Sequence, residues 1–310
     1  MIKYPNNIIK IDKKYSGKRL DLTLCKLFPN YSRSFFKKKI INKFIKINNK
    51  IKTLPKQKLL GNEKIEINIL KKKKKSIKKP INLNIIYEDS YILVIDKPKN
   101  LVVHPGIGNL DGTLLDLLIS YYPPIINIPR AGIIHRLDKD TTGLIMIAKT
   151  LQMQYYLKKL LKIRKIIREY KAIVNGLITN WGIINKPISK NKKKKTCMQI
   201  NSKGKSAITY YRSIAYFRAH TLLKLRLKTG RTHQIRVHME SINHPLVGDK
   251  KYNNKFKNKN ILLKNFKRQA LHATLIKFKH PINGINLNLY TELPNDMKIL
   301  LNNLKLNNEN

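Results

Sequence analysis

The sequence has little cysteine, little acid and no long apolar run. Its two cysteines, Cys25 and Cys197, lie far apart in 310 residues and form no CxxC-type pair. That spacing argues against a disulfide framework or a cysteine-based zinc site and fits a reducing cytoplasm. No apolar run approaches the ~20 residues that a membrane-spanning helix needs, so no membrane partner is expected. Met1 to Lys14 contains no apolar stretch followed by a small-residue cleavage site, so no signal peptide is expected either. A GxSxG elbow is missing, which leaves a serine hydrolase without support. Gly204-Lys205-Ser206 resembles the end of a phosphate-binding loop, but Gln199 stands where its first glycine is required. His233 and His238 are five apart with no glutamate suitably placed between them, and His104, His135 and His244 are scattered, so no metal site is expected.

The 17 acidic residues face 65 Lys+Arg, a formal charge of +48. Such a field attracts polyanions, of which nucleic acid is the commonest in a cell. The chain is also crowded with Lys, Asn and Ile, residues that AT-rich codons specify, so the charge supports RNA binding without proving it. Hydrophobic residues make up 42%, enough for a globular core.

The pattern along the chain divides in three. From about Ser16 to Ile69, Leu20, Leu24 and Leu27 fall at helical spacing. Tyr31-Ser32-Arg33-Ser34 offers caps for a second helix through Phe35, Phe36 and Ile40. Phe44 to Ile47 then alternates like a strand, and Asn48-Asn49 supplies a tight turn. Lys71 to Lys79 is a lysine run ending at Pro80, with the composition of a solvated linker. Beyond it the pattern is mixed. Strands are expected at Ile92–Ile95, Ile133–Ile134, Leu144–Ile147, around Tyr170, Ala172 and Val174, and around Leu223, Leu225 and Leu227. Helices are expected after Thr113 and over Leu151–Ile163, and Lys192 to Lys195 reads as a loop tip. The closely spaced strands imply an α+β fold with a large, mostly antiparallel sheet flanked by helices.

The densest polar stretch is His135-Arg136-Leu137-Asp138-Lys139-Asp140-Thr141-Thr142-Gly143, set between two apolar segments. Composition alone favours an ordinary polar turn. The run, however, resembles the signature loop of the pseudouridine synthases typified by the ribosomal large-subunit and dual-specificity rRNA/tRNA enzymes. Arg168 to Gly176 resembles that family's tyrosine motif, and Gly230 to His238 its third motif. His244 to Asp249 and Arg268 to Ala273 resemble two further segments in the expected order. Gly17 to Asp21 and Tyr31 to Ser34 resemble the S-four-like RNA-binding domain that many members carry.

The resemblance implies an S-four-like domain over 1–70, a basic linker over 71–80 and a pseudouridine synthase catalytic domain over 81–310. It implies that Asp138 is the essential carboxylate, that Tyr170 contacts the target uracil and that Arg236 pairs with Asp138. Arg136 would fill the gap left by the flipped base, with Arg231, Lys18, Arg19 and Arg33 as further RNA contacts. The implied substrate is large-subunit ribosomal RNA, free or in a pre-ribosomal particle, at uridines of the intersubunit stem-loop. The implied enzyme is a monomer without cofactor or metal. A sister enzyme acting at another ribosomal position or on transfer RNA, and a non-catalytic assembly factor, are the alternatives.

These residue types suit the reaction. Pseudouridylation breaks a carbon–nitrogen bond and makes a carbon–carbon bond between the same ribose and base, so the site must hold both fragments together. A carboxylate can attack covalently or remove a ribose proton to give a glycal, and the residues alone leave both open. Shielded from water, it needs a cation, and arginine can satisfy it with directed hydrogen bonds.

Overall fold

A computed structural model describes residues 6–28, 31, 33–68, 82–106, 108–194, 196–253 and 265–306. The chain falls into two compact units, Met1–Lys78 and Lys79–Asn310. The linker expected over 71–80 lies outside the described residues.

In the smaller unit, helices α1 (Leu20–Leu27) and α2 (Arg33–Ile41) accompany strands β1 (Asn6–Lys10), β2 (Ile45–Ile47), β3 (Lys50–Ile51) and β4 (Lys64–Asn68). The strands form one sheet in the order β1-β4-β2-β3. Asn48 and Asn49 both take positive φ, 48° and 63°, the conformation of a type I′ hairpin turn between β2 and β3. Leu20 and Leu24 of α1, Phe36 and Ile40 of α2, and Ile45, Ile47, Ile65 and Ile67 of the sheet close one apolar core. Leu27, at the end of α1, is exposed and takes no part in it.

The larger unit is built on a nine-stranded sheet. It contains β5 (Asn84–Glu88), β6 (Ile92–Lys97), β7 (Thr142–Ala148), β8 (Ile167–Asn175), β9 (Gly182–Asn185), β12 (Ile208–Phe217), β13 (His220–Leu227), β14 (Leu271–Lys279) and β15 (Asn286–Tyr290). The order is β5-β6-β7-β14-β8-β13-β12-β9, with β15 beside β14. β7 and β14 pair in parallel; the other pairings in this sheet are antiparallel. β10 (Ile188–Lys190) and β11 (Met198–Ile200) form a separate hairpin. The α-helices that lie wholly within its described residues are α3 (Leu114–Tyr121), α4 (Leu151–Lys162), α5 (Gln234–Glu240) and α6 (Asn295–Leu306).

Alternation along the strands places apolar side chains on both faces. Leu93, Ile95, Ile145, Ile147, Ala172, Leu223 and Leu225 pack on one side with Leu114, Leu117 and Leu118 of α3. Ile92, Val94, Leu144 and Met146 pack on the other with Met153 and Leu157 of α4. Ile173, Phe217 and Leu222 are covered by Met297, Leu300 and Leu304 of α6. A fully buried Leu such as Leu225 contributes about 2 kcal/mol by transfer alone.

Ile133–Ile134, expected as a strand, makes only an isolated bridge, Ile133 to Ile147. The preceding Arg130, Ala131 and Gly132 all take positive φ in a compact turn, which leaves no extended run for a ladder to grow on.

Candidate active site

The loop from His135 to Thr141 joins that turn to β7, and its neighbours are tied down individually. Leu137 is buried in the main core. Lys97, fully buried at the end of β6, donates to the carbonyls of Pro98, Leu101 and Lys139 at 2.7, 3.1 and 3.0 Å. Burial pulls the Lys97 amine down to about 7, against the pull of Asp140 and Asp138. The three carbonyls match the three N–H groups of the ammonium form. Arg268 donates to the Asp140 carbonyl at 3.0 Å and is itself held by Asp296 through bonds of 2.9 and 2.8 Å. Gln269 donates to the Thr141 hydroxyl at 3.0 Å, and the Thr142 hydroxyl lies 2.8 Å from Nδ1 of His272. His135 accepts from the backbone N–H of Met146 at 3.1 Å, and burial pushes its imidazole down to about 3. The loop is thus fixed around Asp138, whose side chain remains partly open to solvent.

Asp138 meets α5 from across the sheet. Nη1 of Arg236 donates to Oδ2 of Asp138 at 2.8 Å. The rest of that guanidinium is taken by Asp249, through Nε to Oδ2 at 2.6 Å and Nη2 to Oδ1 at 2.8 Å. Asp249 is fully buried and also accepts from the backbone N–H groups of Lys251 and Tyr252. Burial would lower the Arg236 pKa, but Asp249 and Asp138 raise it above its ordinary value, so the cation is secure. Its Cζ lies 5.1 Å from the centre of the Tyr252 ring, a cation–π distance.

His233, immediately before α5, takes φ +55°. Its Nε2 lies 3.9 Å from Oδ1 of Asp138, too long for a hydrogen bond, and its Nδ1 is 2.8 Å from the Tyr252 hydroxyl. Burial lowers its pKa, with Asp138 opposing. Gln234 ties the start of α5 to β12, donating to the Ile208 carbonyl and the Thr209 hydroxyl at 3.0 Å each.

Tyr170 projects from β8 into the main core, with only 5% of its surface exposed. Burial raises its pKa, Arg168 opposes and Asp138 adds to the rise, so at neutral pH it is the phenol. The structure therefore brings Asp138, Tyr170 and Arg236 into one electrostatic neighbourhood. Arg136 is exposed beside Asp138 in the chain, and Arg231 is exposed with its Nε on the Ser206 carbonyl at 3.0 Å. In the smaller unit, Arg19 binds the buried carboxylate of Asp21 through 3.0 and 2.9 Å bonds, and Arg33 binds it at 2.8 Å. Lys18 is exposed, its Nζ 5.4 Å from the Tyr15 ring centre.

Sequence reasoning missed Asp249 and Tyr252, and it weighed His233 only as a metal ligand, a role that it set aside. Asp249 stood within a recognised segment, but nothing local tied it to Arg236. Among the described residues no group of three or more His, Cys, Asp or Glu is arranged to hold a metal ion.

The match to known proteins agrees with this geometry. The family model for RNA pseudouridylate synthase matches residues 91–241, which contain Asp138, Tyr170 and Arg236. The ribosomal large subunit pseudouridine synthase D of Haemophilus influenzae is 48% identical over 304 residues, covering 96% of this chain and 94% of that protein. The protein of the same name from Yersinia pestis is 48% identical over 301 residues, covering 94% and 93%. Human RNA pseudouridylate synthase domain containing 4 superposes with a TM-score of 0.57 at 25% identity, over 72% of this chain and 93% of that one. Human RNA pseudouridylate synthase domain containing 1 shares the fold, with a TM-score of 0.56 at 23% identity over 73% and 96%. With close to half of its residues identical to those relatives across nearly its whole length, the chain belongs to the RNA pseudouridylate synthase family.

Proposed function

We propose that this enzyme converts uridine to pseudouridine in large-subunit ribosomal RNA, at uridines of the intersubunit stem-loop, with Asp138 as the essential carboxylate. The observation that carries the reading is the Asp138–Arg236 ion pair at 2.8 Å, whose carboxylate acts electrostatically on the buried phenol of Tyr170. The N1–C1′ bond of the target breaks, the freed uracil turns, and C5 bonds to C1′; the proton lost from C5 balances the one gained at N1. Asp138 serves either as nucleophile or as base toward the ribose, and Arg236 keeps it ionised in a site from which water must be kept. Tyr170 supplies a stacking surface, and its hydroxyl helps to remove the C5 proton displaced by the new bond. Arg136 occupies the space of the extruded nucleotide, a step whose unstacking costs a few kcal/mol, roughly.

The smaller unit, an S-four-like domain in this reading, grips RNA through Lys18, Arg19 and Arg33. Support comes from an open hollow of about 400 Å³ lined by Tyr15, Lys18, Arg19 and Lys26. Asp21 fixes Arg19 of that lining and also binds Arg33. Arg231 adds a further contact. The enzyme acts as a monomer in the cytoplasm, where its free thiols, Cys25 and Cys197, stay reduced.

The test is site-resolved mapping of pseudouridine in large-subunit RNA treated with wild type or Asp138→Asn. Modification of the intersubunit stem-loop by wild type only is expected. Modification elsewhere would move the target, and RNA binding without modification would favour an assembly role.

A further inference from the structure

Arginine is scarce in this chain: 12 of the 65 Lys+Arg residues. In so lysine-rich a composition an arginine marks a place where a planar, forked cation matters. Among those outside the site and the ion pairs already described, Arg212 and Arg226 lie side by side in the sheet. Arg212 of β12 faces Lys224 of β13 in register, and the next pair on that face is Tyr210 with Arg226. Lys171 of β8 pairs with Lys224, and Ile183 of β9 pairs with Tyr210. Period-two alternation puts these side chains on the face opposite Tyr170 and Leu225. Farther along that face, Ile173, Leu222 and Phe217 lie under α6. Beyond α6 it is open: Arg212 and Arg226 are exposed, and Ile183 is 53% exposed.

Charge and aromatic surface coincide there. Glu169 is the one carboxylate in this register, and Lys224 takes it at 2.7 Å. No ion pair among the described residues engages Arg212, Arg226 or Lys171. Trp181, the only tryptophan of the chain, directly precedes the edge strand β9 and is 73% exposed. Cations that track phosphates, set among aromatic rings on which bases stack, are what single-stranded nucleic acid requires of a protein surface.

We propose that this open half of the sheet is a second RNA-binding face, which holds an unpaired segment of the substrate RNA away from the Asp138 pocket. It rests on the reading that RNA is the substrate. Arg212 and Arg226 grip phosphates, Lys171 extends the track, and Trp181 and Tyr210 stack on bases. The face raises affinity for long RNA and takes no part in the chemistry.

Because Trp181 is the sole tryptophan, intrinsic tryptophan emission reports this face alone. The full-length protein is titrated with large-subunit ribosomal RNA while emission and filter retention are followed together. Emission should change with the same midpoint as retention. Arg212→Glu with Arg226→Glu should weaken binding about tenfold at low salt, lower the salt slope by roughly 1–2, and leave the rate at saturating RNA unchanged. Lys277→Glu with Lys279→Glu, the same charge change at exposed positions of β14, should do much less. If the glutamate pair fails to fold, Arg212→Gln with Arg226→Gln should give the same ordering at smaller amplitude. RNA retained with silent Trp181 emission would overturn the proposal, as would equal weakening by the two reversed pairs. Pseudouridine mapped in the same samples separates the two readings. Emission change without modification would remove the proposed reaction and leave this face standing; modification with silent emission would do the reverse.

Discussion

Asp249 holds Arg236 by two parallel hydrogen bonds of 2.6 and 2.8 Å, which leaves one guanidinium nitrogen aimed at Asp138. The partner of the proposed essential carboxylate is thus oriented by a second, fully buried carboxylate. Asp249→Asn should keep the volume and lose the charge. Arg236 then has one anion instead of two, and the fold should lose about 1–3 kcal/mol. Since a small misplacement of a reacting group is costly, single-turnover rate should fall on the order of 100-fold with RNA affinity little changed. Chemical denaturation and single-turnover assays check both. A destabilised variant with normal turnover would reduce Asp249 to a structural brace.

The same geometry separates Arg236 from a generic cation. Arg236→Lys keeps a charge but can reach only one of the two carboxylates well, because the fork is lost. We expect a rate close to that of Arg236→Ala rather than to wild type, measured under single-turnover conditions. Recovery of most of the activity by lysine would show that charge alone suffices.

How far this was legible in the residues depended on how local each signal was. The hairpin at Asn48-Asn49, the helix after Thr113 and the strand through Tyr170 were readable because turn chemistry and periodicity act within a few residues. Asp138 and Arg236 were named from motif resemblance, although they are 98 positions apart. The Asp249–Arg236–Tyr252–His233 cluster was not readable. Its members meet only because α5 and the segment after Gly248 pack together, and His233 sits in a left-handed conformation that no periodicity signals. Ile133–Ile134 misled for the opposite reason: two β-branched residues suggest a strand, but the positive-φ turn before them decides.

Gly143 allows β7 to approach β14. Its φ is +110°, and a Cβ there would lie 2.3 Å from the Ala273 carbonyl oxygen. Both strands belong to the sheet, so neither can retreat without breaking the Thr142–His272 pairing next to the Asp138 loop. Gly143→Ala should therefore cost about 3 kcal/mol or more, and activity should fall with the folded fraction. Urea denaturation reads the first and specific activity per folded molecule the second. A variant as stable as wild type would mean that the strands have slack here.

Arg136 presents the contrasting case, since it is exposed and takes no part in an ion pair among the described residues. Arg136→Ala should change stability by no more than about 0.5 kcal/mol. If the guanidinium offsets part of the cost of extruding the target base, turnover on structured RNA should fall by roughly tenfold or more, and less on an unstructured oligonucleotide carrying the same uridine. Equal losses on both substrates would point to a simple phosphate contact.

The pH dependence of stability should carry a signature of His135. Its half-buried side chain accepts from the Met146 N–H, and desolvation pushes its imidazole down to about 3 in the folded chain against 6.5 when unfolded. Between those values the unfolded chain binds the extra proton, so stability falls as pH falls from about 6.5 and stops falling from this source below about 3. His135→Gln retains a side-chain acceptor for Met146 but cannot take up a proton. It should flatten the stability profile between pH 6 and pH 4 by up to about 1.4 kcal/mol per pH unit. Urea unfolding of wild type and variant across that range measures the difference directly. An unchanged slope would mean that His135 is already protonated or solvated in the folded state, and the loop that carries Asp138 would then be less firmly tied to β7 than the Met146–His135 bond implies.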